Sequence, residues 1–220
     1  MPKPPHESWE PQRPVDPGRE RILTAARELL HLDDIANFSL DAVAKRAGVT
    51  RMTVYNRFGS KAGLLEEVFD LLIERGAFRE MPVVFTEPDL GVAVDTFVAI
   101  LGRFYTENRP VLSSLSGAAG SDPDLDKAME SRNGRRRHAL QALILRLGKE
   151  HQPAVPPEEL VNTADVLVNY STFNALAGPS RTPNDVVPLV RQLLRGLLGL
   201  PTTPRSAKRA VARKRPGRRS

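Results

Sequence analysis

The stretch from Phe38 to Leu65, FSLDAVAKRAGVTRMTVYNRFGSKAGLL, constrains this chain more than any other. It reads as two short helices joined by a glycine-containing turn, with a third helix following at once. Ser39 N-caps the first helix, and Asp41 lies where the helix dipole favours a negative charge. Leu40, Val43, Ala44 and Ala47 recur at i, i+3, i+4 and i+7, giving one apolar face. Gly48 follows where a helix end calls for a left-handed residue, with Val49 turned inward across the turn. Thr50 caps the second helix, whose inner face is Val54 and Phe58. Ala44 is small enough for the two helices to cross closely, at the roughly 90–120° of a helix-turn-helix.

Arg51, Met52, Thr53, Tyr55, Asn56 and Arg57 are left to face outward on a helix suited to a major groove. Arg51, in the first turn, is placed to fork onto guanine, and Met52 offers an apolar surface to a thymine methyl. The hydroxyls of Thr53 and Tyr55 and the charge of Arg57 suit phosphate oxygens. Gly59 ends this helix, Ser60 caps the next, and Lys61 in its first turn makes a phosphate clamp. Ser39 and Thr50, at the two helix starts, complete the candidate DNA-binding set. Residues 39–61 hold five cations (Lys45, Arg46, Arg51, Arg57, Lys61) against one acid, Asp41. A helical hairpin with a merely solvated face does not account for that charge, the tight turn and the exposed tyrosine together.

AVAKRAGVTRMTVYNRFGSKAGLL resembles the DNA-binding signature of the TetR (TetR/AcrR) family of transcriptional regulators. The resemblance is strong over about residues 18–66 and architectural beyond. It implies that a helix from Gly18 to Leu32 is the first of three in the DNA-binding domain. It also implies that the helix beginning at Ser60 leads into a ligand-binding and dimerising body. By position, Thr50, Arg51, Met52, Thr53, Tyr55, Arg57 and Lys61 match DNA-contacting positions of the family. Asn56 stands where many members have an aromatic or bulkier polar residue. HLDDIANFSL lacks the glycine commonly found before the second helix, and Asn37 is available to supply a left-handed residue instead.

Charge must be read regionally. The net +6 is concentrated in residues 205–220, which hold eight Lys/Arg and no acid, and the remaining chain is net −2. Such a tail cannot bury a core and is expected to be disordered, either as a solubilising end or as a non-specific phosphate-binding arm. Residues 1–16, with five prolines, form a second disordered lead, from which Arg13 is within sequence reach of a minor groove. No apolar run approaches the roughly 20 residues of a membrane span, and the N-terminus lacks a signal-peptide core. A cytoplasmic protein without membrane contact is expected. The absence of cysteine excludes disulfides and thiolate metal sites.

The rest reads as helices. One runs from Ser60 toward Glu80, burying Leu64, Leu65, Val68, Phe69 and Leu72, with a break from Met81 to Pro88. Further helices cover residues 91–107, about 110–118, and a long stretch capped by Asp122 or Asp124 that continues through RRRHALQALILRLGKE. A helix of about Glu158 to Ala177 and one from Asn184 or Asp185 to near Gly199 complete the chain. No segment alternates with period two, so the fold class is all-α. A three-helix DNA-binding domain (residues 17–66) precedes an α-helical ligand-binding and dimerisation domain (67–200), and the tail is 201–220.

The last two helices are apolar around much of their circumference, which requires burial on several sides. A homodimer through a four-helix bundle supplies it; filling of the monomer core is the alternative. The candidate effector pocket is Phe97, Phe104, Tyr105, Met129, Tyr170 and Phe173, with plain core as the alternative for each.

Signs of an enzyme are poor. His6, His31, His138 and His151 are scattered, and no phosphate-binding glycine loop or nucleophile elbow occurs. Asp122, Asp124 and Asp126 open like a calcium loop, but Lys127 replaces its turn glycine and Asn133 its bidentate glutamate. Glu66 and Glu67, and the basic run of Arg132, Arg135, Arg136 and Arg137, read as solvated surface, the arginines with an anionic ligand as the alternative. No metal or cofactor is called for. The expectation is a homodimeric regulator, a repressor released from a palindromic double-stranded operator by a small-molecule effector. The rivals are a ligand-independent architectural protein and an enzyme carrying a borrowed helix-turn-helix.

Overall fold

The computed structural model describes residues 16–32, 38–117, 120, 122–147 and 155–201. Among them every regular element is helical. Asn37, Arg13, His6, His151, most of the proline-rich lead and the basic tail of 205–220 lie outside the described residues.

Helix α1 (Pro17–Leu32) starts under Asp16, whose carboxylate accepts from the Gly18 and Arg19 amides. It buries Ile22, Leu23, Ala26 and Leu30 against α2 (Leu40–Ala47) and α4 (Lys61–Arg75). Between these lies α3 (Arg51–Phe58). Of the inner faces expected from spacing, Leu40, Ala47 and Val49 are half-buried against the core and the rest are buried in it. Val43, Ala44, Val54 and Phe58 lie in the core, as do Leu64, Leu65, Val68, Phe69 and Leu72 of α4.

Helix α4 ends at Arg75, short of the expected Glu80, because Gly76 adopts an extended conformation. A 3-10 turn (Ala77–Glu80) follows, and then α5 (Met81–Thr86) where a break was expected. The expectation over-read Pro82. Proline in the first helical turn forfeits an amide that has no partner there in any case. The true interruption is at Glu87–Asp89, after which Asp89 caps α6 (Leu90–Glu107) by accepting from the Val92 amide at 3.0 Å.

Helix α6 is the axis of the body, buried along most of its length, with α7 (Arg109–Gly117) after it. Asp122 caps α8 (Pro123–Ile144), which ends before the expected RLGKE run. The single helix expected at 158–177 is two, α9 (Pro157–Val168) and α10 (Tyr170–Ala177). Asn169 divides them. Its backbone is extended and its side chain accepts from the Thr172 amide at 2.8 Å, so it caps rather than continues. The last helix, too, starts differently. A 3-10 turn (Pro183–Val186), boxed by Thr182 and Asp185, leads into α11 (Val187–Leu197).

In the body α8 packs on α4 and α9, α11 packs on α6 and α9, and α7 returns to α1. Apolar residues from Ile22 to Leu200 form one contiguous cluster through DNA-binding domain and body. Among the described residues no helix is long and apolar enough to cross a membrane.

Candidate nucleic-acid interface

The two short helices are fixed at each end by side-chain and backbone caps. Ser39 Oγ accepts from the Ala42 amide at 3.1 Å. Gly48 (φ 66°) lets its own amide and that of Val49 fold back on Lys45 and Ala44 carbonyls, at 3.3 and 3.0 Å. Thr50 Oγ1 accepts from the Thr53 amide at 3.1 Å, and Ser60 Oγ from the Gly63 amide at 3.0 Å. Gly63 was not singled out from sequence. A Cβ there would lie 2.2 Å from the Phe58 carbonyl oxygen, so α3 and α4 meet this closely only with glycine. The signal was present in the KAGLL run, but glycine inside a helix announces close approach only once the neighbour is known.

Helix α3 stands with Val54 and Phe58 inward and its other face in solvent. Met52 is 64 % exposed and Tyr55 54 %, two of the few large apolar side chains so placed. Asn56 and Thr50 are exposed beside them, and Ser39 is exposed at the start of α2. Thr53 is half-buried, and its hydroxyl lies 2.8 Å from that of Thr50, so its phosphate contact would be shared with capping.

The cations are less free than composition suggests. Arg46 pairs with Glu28 at 2.9 Å, and Arg51 with Asp41 at 3.6 Å across a fully wet surface. Arg57 pairs with Asp16, whose carboxyl it holds below the usual range. Lys61 bonds Asp122, the cap of α8, and lies 5.6 Å from the centre of the Phe38 ring. Lys61 and Asp122 are both largely withdrawn from water, and the lysine holds the Asp122 carboxyl below its ordinary 3.8. The expected phosphate clamp is thus bound to the body. The same contact explains the calcium-like acids. Asp122 caps and pairs, Asp126 accepts from the Gly120 amide at 2.8 Å, and among the described residues no cluster is placed to hold a metal.

The aromatic set of the body packs on itself. Tyr105 meets Tyr170 and Phe173 edge-on at 5.6 and 5.2 Å, and Phe104 lies 5.9 Å away. Phe97, Phe104, Tyr105 and Phe173 are fully buried, and Tyr170 nearly so. Met129 alone of the set borders an open cleft of about 400 Å³, with Ser116, Asp126, Glu130, Asn133 and Ser171. The basic run is not a solvated patch. Arg132 is buried, Arg136 forks onto Asp165 at 2.8 and 3.2 Å, and Arg135 pairs with Asp70. Nor is Glu67 merely solvated, since it pairs with Arg19 of α1.

Residues 22–68 match the family described as bacterial regulatory proteins, tetR family. The transcriptional regulator AlkX of Mycobacterium tuberculosis is 31 % identical over 107 residues, 47 % of this chain and 50 % of that protein. EthR of Mycolicibacterium smegmatis is 42 % identical over 64 residues, 29 % of this chain and 30 % of that protein. The chain thus matches about half or less of the length of these curated relatives. NalD, a secondary repressor of the MexAB-OprM multidrug efflux pump in Pseudomonas aeruginosa, superposes with a TM-score of 0.65 at 20 % identity, covering 83 % of this chain and 96 % of that one. SmeT, solved as a triclosan complex, gives 0.60 at 18 %, covering 82 % and 91 %. At such identity these structures establish the fold. The helix-turn-helix, its caps and its sequence match together show that residues 22–68 are similar to the DNA-binding region of the tetR family of bacterial regulatory proteins.

Proposed function

We propose that the protein is a homodimeric repressor that binds a palindromic operator through α3 and leaves it when a small molecule binds the body. The observation that carries the DNA-binding half is the exposed Met52–Tyr55–Asn56 face on a helix whose opposite side is locked into the core. Arg51 reads a base edge, and Tyr55, Arg57 and Lys61 hold phosphates. Val166 on α9 and Leu189 and Leu193 on the adjacent α11 are 59, 41 and 43 % exposed, which supports burial against a second copy. Two α3 helices related by a twofold then read two half-sites.

Release follows from differential affinity. An effector that prefers the dimer with misplaced recognition helices draws it off DNA, and a hundredfold loss of affinity needs about 2.7 kcal/mol. The triclosan complex of SmeT supports a body that admits small molecules. The tight aromatic core favours a second reading, an architectural DNA-binding protein without effector. Selection of duplexes from a random pool, followed by light scattering of the complex, tests the first. A dimer on a palindrome supports it, and sequence-independent binding by a monomer refutes it.

A further inference from the structure

Among the described residues, the other well-buried arginines come with a counter-charge. Arg195, 3 % exposed, forks onto Asp95 at 2.7 and 2.9 Å. Arg136, one turn along α8 from Arg132, forks onto Asp165. Arg132 is the exception. It is 8 % exposed, with its guanidinium carbon 5.3 Å from the Phe69 ring centre and 5.7 Å from that of Phe104. Among the described residues no carboxylate lies within ion-pair distance of it and no acceptor takes its N–H groups.

Five planar donors are therefore dry and unspent. The two ring faces return part of the desolvation cost, but they accept no N–H bond in the plane of the fork. No hydrogen bond joins it to the nearby phenols either, whose protons go elsewhere. Tyr105 donates to the Val168 carbonyl at 2.9 Å, and Tyr170 to that of Arg109 at 3.1 Å. Burial lowers the Arg132 pKa to about 10, which still leaves a full cation at neutral pH. An unpaired buried cation weakens a fold, and a hydrophobe of similar size would commonly serve stability as well or better. Its geometry is that of a carboxylate receptor, since a guanidinium fork matches two carboxylate oxygens and the flanking rings match an apolar or aromatic body.

We propose that Arg132 is the anchor of the effector site, and that the effector is a small organic carboxylate on an aromatic or branched apolar body, held between Phe69 and Phe104. This rests on the ligand-gated reading and names its ligand class. Entry requires the aromatic packing to part, so the effector selects a conformation in which α8 has shifted against α4 and α6. Asp122 begins the same helix, roughly 15 Å away at 1.5 Å per residue, and it holds Lys61. Occupancy at Arg132 thus bears directly on the phosphate clamp.

Calorimetric titration of the full chain with 2-naphthoate, 2-naphthamide and inorganic phosphate tests the site without DNA. The expected result is binding of the acid at least tenfold tighter than the amide, with phosphate showing no comparable affinity. In Arg132→Met the preference should vanish, and in Arg132→Lys, which keeps charge but not the fork, it should fall severalfold. Equal affinity for acid and amide, an equal response to phosphate, a preference that survives in Arg132→Met, or one undiminished in Arg132→Lys overturns the proposal. Thermal melting gives a second check independent of the probe. Arg132→Met should melt at or above the parent, and a clear fall would show the arginine to be structural and overturn the anchor. Duplex titrations with and without 2-naphthoate separate the two readings. Acid binding that leaves DNA affinity unchanged keeps the anchor and refutes ligand gating.

Discussion

Asp122→Asn isolates the contact between Lys61 and the body. Asp122 has two tasks. One oxygen caps α8, accepting from the amides of Asp124 at 3.0 Å and Leu125 at 3.3 Å, while the other holds the Lys61 ammonium. Asparagine keeps the capping oxygen and is an equally good cap, so the substitution removes the charge and little else. The pair is 18 and 25 % exposed, neither a surface contact nor a dry one. A charged hydrogen bond contributes about 1.5–3 kcal/mol and a surface pair at most about 1, so about 1 kcal/mol is expected here. If Lys61 must leave Asp122 to clamp a phosphate, that amount opposes DNA binding. Asp122→Asn should then tighten binding about fivefold per subunit, while lowering folding stability by a similar free energy.

Fluorescence anisotropy with duplex DNA and urea denaturation measure the two effects. The pH dependence gives a third reading. The Asp122 carboxyl is held below its ordinary 3.8, so the pair's stabilisation is complete above that value. It is lost as pH falls through the lowered folded-state value, and the variant should lack this acid-sensitive component. Unchanged or weaker DNA binding by Asp122→Asn would refute the reasoning. It would mean that the pair survives in the complex and serves as a strut holding α4 in its DNA-competent position.

Arg51→Ala should weaken operator binding by about 1–3 kcal/mol per half-site and relax preference at one base position, read by titrating operators varied base by base; uniform weakening would make Arg51 a phosphate contact. Tyr55→Phe and Lys61→Ala should weaken specific and random duplexes alike, and Lys61→Ala should flatten the plot of log affinity against log salt by about one counterion per subunit. Leu193→Glu places a charge on each side of the proposed dimer face and should yield monomers by light scattering, with DNA affinity falling in step. Gly63→Ala forces a methyl against the Phe58 carbonyl and should lower stability by about 1–3 kcal/mol in thermal melts monitored by circular dichroism.

The helix-turn-helix was legible because each of its constraints is local. Caps at Ser39, Thr50 and Ser60 reach three residues or fewer along the chain, and Gly48 announces its own conformation. The body was legible as helices but not in its breaks. Pro82 suggested a break and begins a helix, whereas Asn169 passed as helical and ends one. In both cases position within the turn, rather than residue type, decides the outcome. The partners of charged groups were not legible at all. Lys61 meets Asp122 across 61 residues and Arg195 meets Asp95 across 100. Arg132 looked like the rest of its basic run because sequence cannot say which arginine of a helix faces Phe69.

Helix α8 joins these long-range contacts. Asp122 at its start meets the DNA-binding domain, Arg132 in its middle faces α4 and α6, and Arg136 is fastened to α9 through Asp165. A rigid helix displaced at one point moves at the others, so no chain of small side-chain shifts is needed to link effector and phosphate clamp. The magnitudes bound what this link does. One Lys61–Asp122 contact is worth about 1 kcal/mol, hence about 2 in a dimer, against about 2.7 for a hundredfold release. Strengthening the pair alone therefore falls short. On the proposed dimeric reading, the remainder would come from moving the two α3 helices out of register with successive major grooves, and the continuous core from α1 through α4 to α8 offers a route for a shift of α8 to reach them.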